Sequence, residues 1–300
     1  MDFGRIKEIE SVDYALPVNH KSVARVLGGN KTGSPKAYVG GVLWSDEDFR
    51  GTIYPEKAKP GDYVKHYTKQ FNTIELNTTH YRVPEPDTFR RWQSLAPEGF
   101  KFCPKINQNI SHAGSLLPMI SFHNECNGLF QLLGEKLGTC FLQLPPHFAP
   151  NRLPELLEFL DHSDLGKLAV EVRNENWYNN EADLNLLCNY LYKNNMALVL
   201  TDTPGRRDVL HMRLTNKTAF IRFNANNNHP TDKQRMDEWV QKAKSWFDMG
   251  LEQFYFFVHT PDQVNMPHLV TYFIQQLQRV CGIKLTPPVI RKKTKTDTLF

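Results

Sequence analysis

The chain has 300 residues, 40% of them hydrophobic and 12% aromatic, with a formal net charge of +4. This apolar content supports a sizeable core, and the length fits one large α/β barrel as well as two smaller domains. No apolar run approaches the ~20 residues that span a bilayer, and the N-terminus lacks a charged segment followed by a hydrophobic one, so neither a membrane-spanning nor a secreted protein is expected.

Residues 1–36 have little regular period and include the Gly-, Ser- and Lys-containing stretch just before the first strand, which reads as a loosely packed N-terminal extension. The first strand follows at Ala37 to Leu43, where Gly40 and Gly41 imply close backbone approach to a ligand or a neighbouring element. Further strands are predicted at Asn72 to Leu76, Phe100 to Pro104, Gly138 to Leu142, Leu168 to Val172, Ala197 to Leu200, Ala219 to Phe223 and Phe254 to Val258. Amphipathic helices alternate with them at Pro86 to Leu95, Met119 to Leu133, Leu153 to Leu160, Glu181 to Asn194, Asp232 to Phe247 and Gln263 to Val280, several opened by Pro-Asp or Thr-Asp start signals. Only the connection from Leu200 to Ala219 lacks a helical pattern. Eight strand–helix steps predict a TIM-type (β/α)8 barrel over residues 37–283 as a single domain. Residues 284–300, rich in Pro and Lys, read as a disordered basic tail.

The five cysteines, Cys103, Cys126, Cys140, Cys188 and Cys281, are odd in number, scattered and without a C-x-x-C pair. Packing roles in a reducing cytoplasm fit them best. The mild basicity, partly concentrated at Arg291, Lys292, Lys293 and Lys295, permits an anionic partner.

In a barrel the residues at the C-terminal strand ends converge on one mouth. Here they are Trp44 and Tyr54 after the first strand, Glu75, Asn77, Tyr81 and Arg82 at the second, Lys105 and His112 after the third, and Gln143 at the fourth. Glu171, Arg173 and Trp177 come at the fifth, Asp202 after the sixth, Arg222 and Asn224 at the seventh and His259 at the eighth. A carboxylate on a buried strand costs several kcal/mol unless it is paired or used. Glu75 is therefore either one half of a structural ion pair or a functional group. Glu75 and Glu171 face each other across such a barrel as a general acid and base pair, with Lys105 and Asp202 completing the catalytic candidates. Arg82, Arg173 and Arg222 would hold an anion, and Trp44, Asn77, Tyr81, His112, Gln143, Trp177, Asn224 and His259 would line the substrate. The competing reading is a salt-bridge network that closes the top of the barrel.

No cofactor is expected. Glu75, His112, Glu171, Asp202 and His259 are metal-ligand types on different strands, but no His-x-His or Glu-x-x-His spacing accompanies them, and several cations in one mouth repel a divalent ion. No Walker loop, dinucleotide fingerprint or G-x-S-x-G elbow occurs.

Several segments together resemble the YecE-like domain-of-unknown-function family. They are Trp44 with Tyr54-Pro55, IELNTTHYRVP at 74–84, the Trp92 to Pro97 run followed by GFKFCPKINQNISH, FLQLPPHF at 141–148 and VEVRNENW at 170–177. The resemblance covers roughly residues 38–280 and implies a TIM-type barrel without supplying a reaction. Matching positions are Glu75, Asn77, Tyr81, Lys105, His112, Gln143, Pro145, Glu171, Arg173, Trp177 and Asp202. The chain departs from the family pattern at Asn224-Ala225, where many members read His-Gly, and at His259, where many carry Asn. A mechanism built on a strand-seven histidine therefore does not carry over.

The expected function is an enzyme acting on a small anionic substrate or a nucleic acid. The alternative is a non-catalytic nucleic-acid-associated protein. The ending Thr296-Asp297-Thr298-Leu299-Phe300 resembles bacterial sliding-clamp docking peptides, with Thr296 at their Gln position, which makes Leu299 and Phe300 candidates for clamp docking.

Overall fold

A computed structural model describes residues 3–28, 33–179 and 181–292 of the chain. All eight expected strands form: β1 (Lys36–Gly40), β2 (Thr73–Leu76), β3 (Lys101–Pro104), β4 (Cys140–Gln143), β5 (Leu168–Glu171), β6 (Ala197–Asp202), β7 (Thr218–Asn224) and β8 (Gln253–His259). Every pairing among them is parallel. Six strands make one sheet in the order β1-β8-β7-β6-β5-β4, and β2 pairs with β3. The first strand thus lies beside the last, with Lys36 opposite Gln253 and Gly40 opposite Phe257.

The two sheets touch along two seams. Between β3 and β4, isolated bridges join Phe102 to Leu137 and Lys105 to Phe141, and the Ile106 N–H donates to the Phe141 carbonyl at 2.9 Å. Between β1 and β2, the Glu75 N–H donates to the Gly41 carbonyl at 3.1 Å. The Asn72 side chain substitutes for ladder bonds there, accepting from the Val39 N–H and donating to the Ala37 carbonyl, both at 2.9 Å. The Tyr67 hydroxyl accepts from the Gly41 N–H at 2.8 Å and donates to the Thr73 carbonyl at 3.1 Å. A Cβ on Gly40 would lie 2.1 Å from the Thr73 carbonyl oxygen, so the close approach anticipated for this glycine is to a neighbouring strand. Replacing Asn72 by Ala orphans a backbone donor and an acceptor, and the expected cost is about 2–4 kcal/mol in urea unfolding. An unchanged midpoint would mean that Tyr67 and Glu75 hold this seam unaided.

Strand alternation divides the core in two. Ile74, Leu142, Val170, Leu200, Ile221, Phe254 and Phe256 belong to the large cluster that packs against the helices. Tyr38, Cys103, Phe141, Ala169, Ala197, Val199, Phe220, Tyr255 and Phe257 form a separate cluster on the opposite face, contributed by seven of the strands. The helices follow the sequence signals. Pro86 starts the helix Pro86–Leu95, which buries Phe89 and Trp92, and the helix Pro230–Met249 ends at Gly250, which adopts φ 112°. Between β6 and β7 only a 3-10 turn, Arg207–Val209, appears, in keeping with the absent helical pattern.

Two terminal expectations are corrected. The N-terminal segment is not loosely packed: Tyr14, Val23, Val26 and Leu27 are buried. The His20 N–H donates to the Met212 carbonyl at 3.1 Å, and Asn19 accepts from Trp246 Nε1 and Lys242 Nζ, both at 3.1 Å. The segment packs between the helix-free β6–β7 connection and the helix Pro230–Met249, covering apolar surface that an intervening helix would otherwise cover. Residues 284–292 are also held, because the Arg291 N–H donates to the Thr52 carbonyl at 3.1 Å and the Val289 N–H to Gln70 at 2.9 Å. Their charge suggested solvent, but Pro288 is buried and the backbone finds partners on the body. Leu299 and Phe300, with the rest of residues 293–300, lie outside the described residues. Among the described residues no helix is long and apolar enough to cross a membrane. All five cysteines are free, and four of them are buried.

Candidate functional site

Two residues beyond the last member that each of β3 to β8 gives to the smaller apolar cluster, on the same strand face, the side chains turn polar. Phe141 is followed by Gln143, Ala169 by Glu171, Val199 by Thr201, Phe220 by Arg222 and Phe257 by His259, while Glu75 follows Thr73 and Lys105 follows Cys103. A period of two on parallel strands therefore builds a polar layer at their C-terminal ends from residues scattered along the chain.

Arg222 is the hub of this layer. Its guanidinium grips Glu75 with two bonds of 2.9 Å, from Nε and Nη2, and donates from Nη1 to Glu171 at 2.8 Å. Glu171 also accepts from Arg173 Nε at 2.8 Å and from the Thr201 hydroxyl at 2.9 Å. Glu75 accepts from Asn77 Nδ2 and His259 Nε2, both at 2.9 Å. All of the charged members are buried. Burial opposes ionisation of both carboxyls, but their partners outweigh it: Arg222, together with the hydrogen bond from His259, holds Glu75 well below the usual range, and Arg173 and Arg222 hold Glu171 at about 2. Both are therefore carboxylates at neutral pH. Burial pushes His259 down, against the attraction of Glu75, so its ring is neutral. Because an ionised carboxylate can only accept, the Nε2 facing Glu75 carries the proton and Nδ1 carries the lone pair.

Lys105 is the exception in this network. The residue is 1% exposed, yet among the described residues its Nζ has no hydrogen-bond or ion-pair partner. Burial, with Arg222 adding to it and Glu75 and Glu171 opposing, lowers its pKa to about 7. Lys105 thus shares one buried layer with the carboxylates Glu75 and Glu171 and the guanidiniums Arg173 and Arg222.

Beside this layer lies a cleft of about 370 Å³, lined by residues following β1, β2, β7 and β8 and by Arg5 of the N-terminal segment. Trp44, Asn77, Tyr81, Asn224 and His259 all border it, together with Ser45, Thr260 and Gln263. Trp44 is braced edge-on by Tyr67, Trp92 and Phe102. Tyr81 is 66% exposed. Arg5 has no partner among the described residues, and nothing in the residues around it marks it as part of a site, because the segment has no regular period. Phe3, from the same segment, lies over Arg173 at 4.3 Å and over Arg206 at 5.3 Å.

Other expected site residues are placed elsewhere. Asp202 falls on the opposite strand face from Thr201, where it takes Arg235 at 2.8 Å, Trp239 Nε1 at 2.7 Å and Arg207 as partners. Strand parity is the reason: β6 runs to Asp202, and Thr201 is the residue in phase with the polar layer. Trp177 is fully buried with its indole donating to the Phe148 carbonyl at 2.9 Å, a packing role. Arg82 is exposed and does not border the cleft. His112 bonds Ser111 at 2.8 Å and lies 5.5 Å, ring to ring, from His80, which is itself buried and held by the Ile106 carbonyl. Gln143 is buried at the network's edge, 3.4 Å from Arg222. Among the described residues no three His, Cys, Asp or Glu side chains converge in a way that could hold a metal ion.

A parallel α/β fold with a dense charged layer across the C-terminal strand ends defines the class: α/β proteins that carry their site at that end. The family model described as "Protein of unknown function DUF72" matches residues 38–292, and the chain belongs to that family. It is 28% identical to the UPF0759 protein YecE of Escherichia coli K12 over 263 residues, covering 81% of this chain and 93% of that protein. It is 27% identical to the UPF0759 protein YunF of Bacillus subtilis over 151 residues, covering 47% and 52% of the two chains. A solved DUF72 family protein of Enterococcus faecalis V583 superposes with a TM-score of 0.62 at 17% identity, covering 83% of this chain and 98% of the other, a likeness of fold.

Proposed function

We propose that the eight strands close into a TIM-type barrel and that its mouth is the active centre of an enzyme acting on an anionic substrate by acid–base chemistry. The adjacency of β1 to β8 and the bonds across the two seams support closure. The observation that carries the functional reading is Lys105, a residue 1% exposed whose amine has no hydrogen-bond or ion-pair partner among the described residues beside the Arg222 network. A fold that needed only stability would place an apolar side chain there. An anion brought by the substrate raises the lysine's pKa, so that binding loads a proton where chemistry can use it.

The roles expected for the two carboxylates change accordingly. Neither Glu75 nor Glu171 can serve as a proton donor near neutral pH while Arg222 holds both ionised. In our reading His259, oriented by Glu75 and with Nδ1 unprotonated, is the base, and protonated Lys105 is the acid. Arg173 and Arg222 position the carboxylates.

The test is a thermal-shift screen of sugar phosphates, sulfonates, carboxylates, nucleotides and short single-stranded DNA, followed by titration of each hit between pH 6 and 9. For a sulfonate or carboxylate, whose own charge is constant in that range, the affinity should fall about tenfold per pH unit above the pKa of Lys105 and be flat in Lys105→Met. A flat profile in wild type removes the reading of Lys105. NMR of the bound hit should show conversion by wild type and none by His259→Gln or Glu75→Gln, both still binding. Binding without conversion by wild type, with a steep salt dependence on DNA, would instead favour a non-catalytic nucleic-acid protein.

A further inference from the structure

Two residues that border the cleft beside the ion network carry side-chain oxygens that are closed to solvent and have no hydrogen-bond partner among the described residues. Asn77 Nδ2 donates to Glu75 at 2.9 Å, which fixes the sense of the amide and leaves Oδ1 buried without a partner. Gln263 Nε2 donates to the Thr260 carbonyl at 2.6 Å, leaving its Oε1 in the same condition. His259 Nδ1 is a third acceptor, since Nε2 is committed to Glu75. Asn77, Gln263 and His259 all border the one cleft, along with Trp44, Tyr81 and Arg5.

Buried acceptors without donors cost free energy, so the ligand that belongs here brings O–H or N–H groups. Sulfate brings none, because its oxygens only accept, and inorganic phosphate brings at most two. A nucleobase edge alternates donors with acceptors and would leave some of its own groups opposite these acceptors. The hydroxyls of a sugar ring can each rotate to donate, and the ring's C–H surface suits aromatic walls such as Trp44 and Tyr81. Arg5, with no partner among the described residues, is placed to meet an anionic substituent at the cleft rim.

We propose that this cleft binds the hydroxylated ring of an anionic sugar, with side-chain movement on binding bringing Asn77 Oδ1 and Gln263 Oε1 within reach of its hydroxyls and Trp44 forming a wall. The assignment rests on the anionic-substrate reading above and names its substrate class. The experiment is calorimetric titration of wild type, Trp44→Leu and Gln263→Leu with hexose and pentose phosphates, the parent uncharged sugars and butyl phosphate. Gln263→Leu is included because it lies on a short surface turn and should fold even if loss of the braced indole disturbs Trp44→Leu.

At least one sugar phosphate is expected to bind wild type tenfold or more tightly than butyl phosphate, an advantage that both variants reduce about tenfold while their weak affinity for butyl phosphate is unchanged. Equal affinity for sugar phosphates and butyl phosphate overturns the sugar assignment and leaves the anionic reading standing. Binding of an uncharged sugar, weakened in both variants, with no response to any anion, supports the sugar assignment and removes the anionic one. No binding of any sugar, charged or uncharged, overturns the proposal.

Discussion

Replacing Arg222 by methionine is expected to cost about 3–5 kcal/mol of stability at pH 7, because it leaves Glu75 and Glu171 ionised and buried without the cation that both share. The two carboxylates accept three hydrogen bonds from this guanidinium at 2.8–2.9 Å, and a methionine restores the volume but none of the charge. The pH dependence makes the prediction specific. In the wild type the depressed pKa of Glu171, about 2, contributes stability that is fully present above its ordinary value and is lost as pH falls toward 2. In Arg222→Met Glu75 loses its guanidinium and should titrate at or above its ordinary value, whereas Glu171 keeps Arg173, so acid relieves the variant at Glu75 while it weakens the wild type. Urea unfolding at pH 7 and pH 3.5 should therefore show the gap between the two narrowing in acid. A gap below about 1 kcal/mol at pH 7, or one that does not change with pH, would contradict the buried network.

The neighbouring substitution has the opposite sign. Lys105→Met is expected to stabilise the ligand-free protein at neutral pH by about 2–3 kcal/mol, against an upper bound of about 5 kcal/mol set by the fall of the lysine's pKa from 10.5 to about 7. Below pH 7 the lysine is charged in folded and unfolded chains alike, and folding bears the whole burial cost. Between about 7 and 10.5 the folded chain has lost a proton that the unfolded chain keeps, so wild-type stability rises with pH relative to the variant. The stabilisation should be largest below pH 7 and fade toward pH 10. A destabilised variant would mean that Lys105 pairs with Glu75 or Glu171 in solution and belongs to the structural network. Together the two variants separate the roles: Arg222 holds the network together, and Lys105 is carried at a cost to folding, as residues kept for chemistry often are.

Much of the fold was legible because its signals are local. The β-strand runs, the Pro-initiated helices and the missing helix between β6 and β7 depend on patterns a few residues long, and each appears where it was expected. Asp202 shows where such reading stops short. Its position just past a predicted strand points it to the mouth, yet the strand runs two residues further, through Thr201, and puts Asp202 on the helix-facing side, because parity inverts with each step. Arg5 and Phe3 carried no signal in their own segment. Their relevance comes from the way the N-terminal segment packs back over the strand ends.

The sequence by itself determined which chemical groups stand at the C-terminal strand ends, since a period of two is a property of each strand alone. Only the tertiary structure decided their charge states and roles. Glu75 is tied to Arg222 across 147 residues and to His259 across 184, while Arg222 reaches Glu171 across 51. A pKa is set by the charges within a few ångströms and by the water that burial removes. Neither can be read from a strand considered alone, which is why two carboxylates expected to divide acid from base are both held ionised, and why the amine between them is the group left to titrate near neutrality.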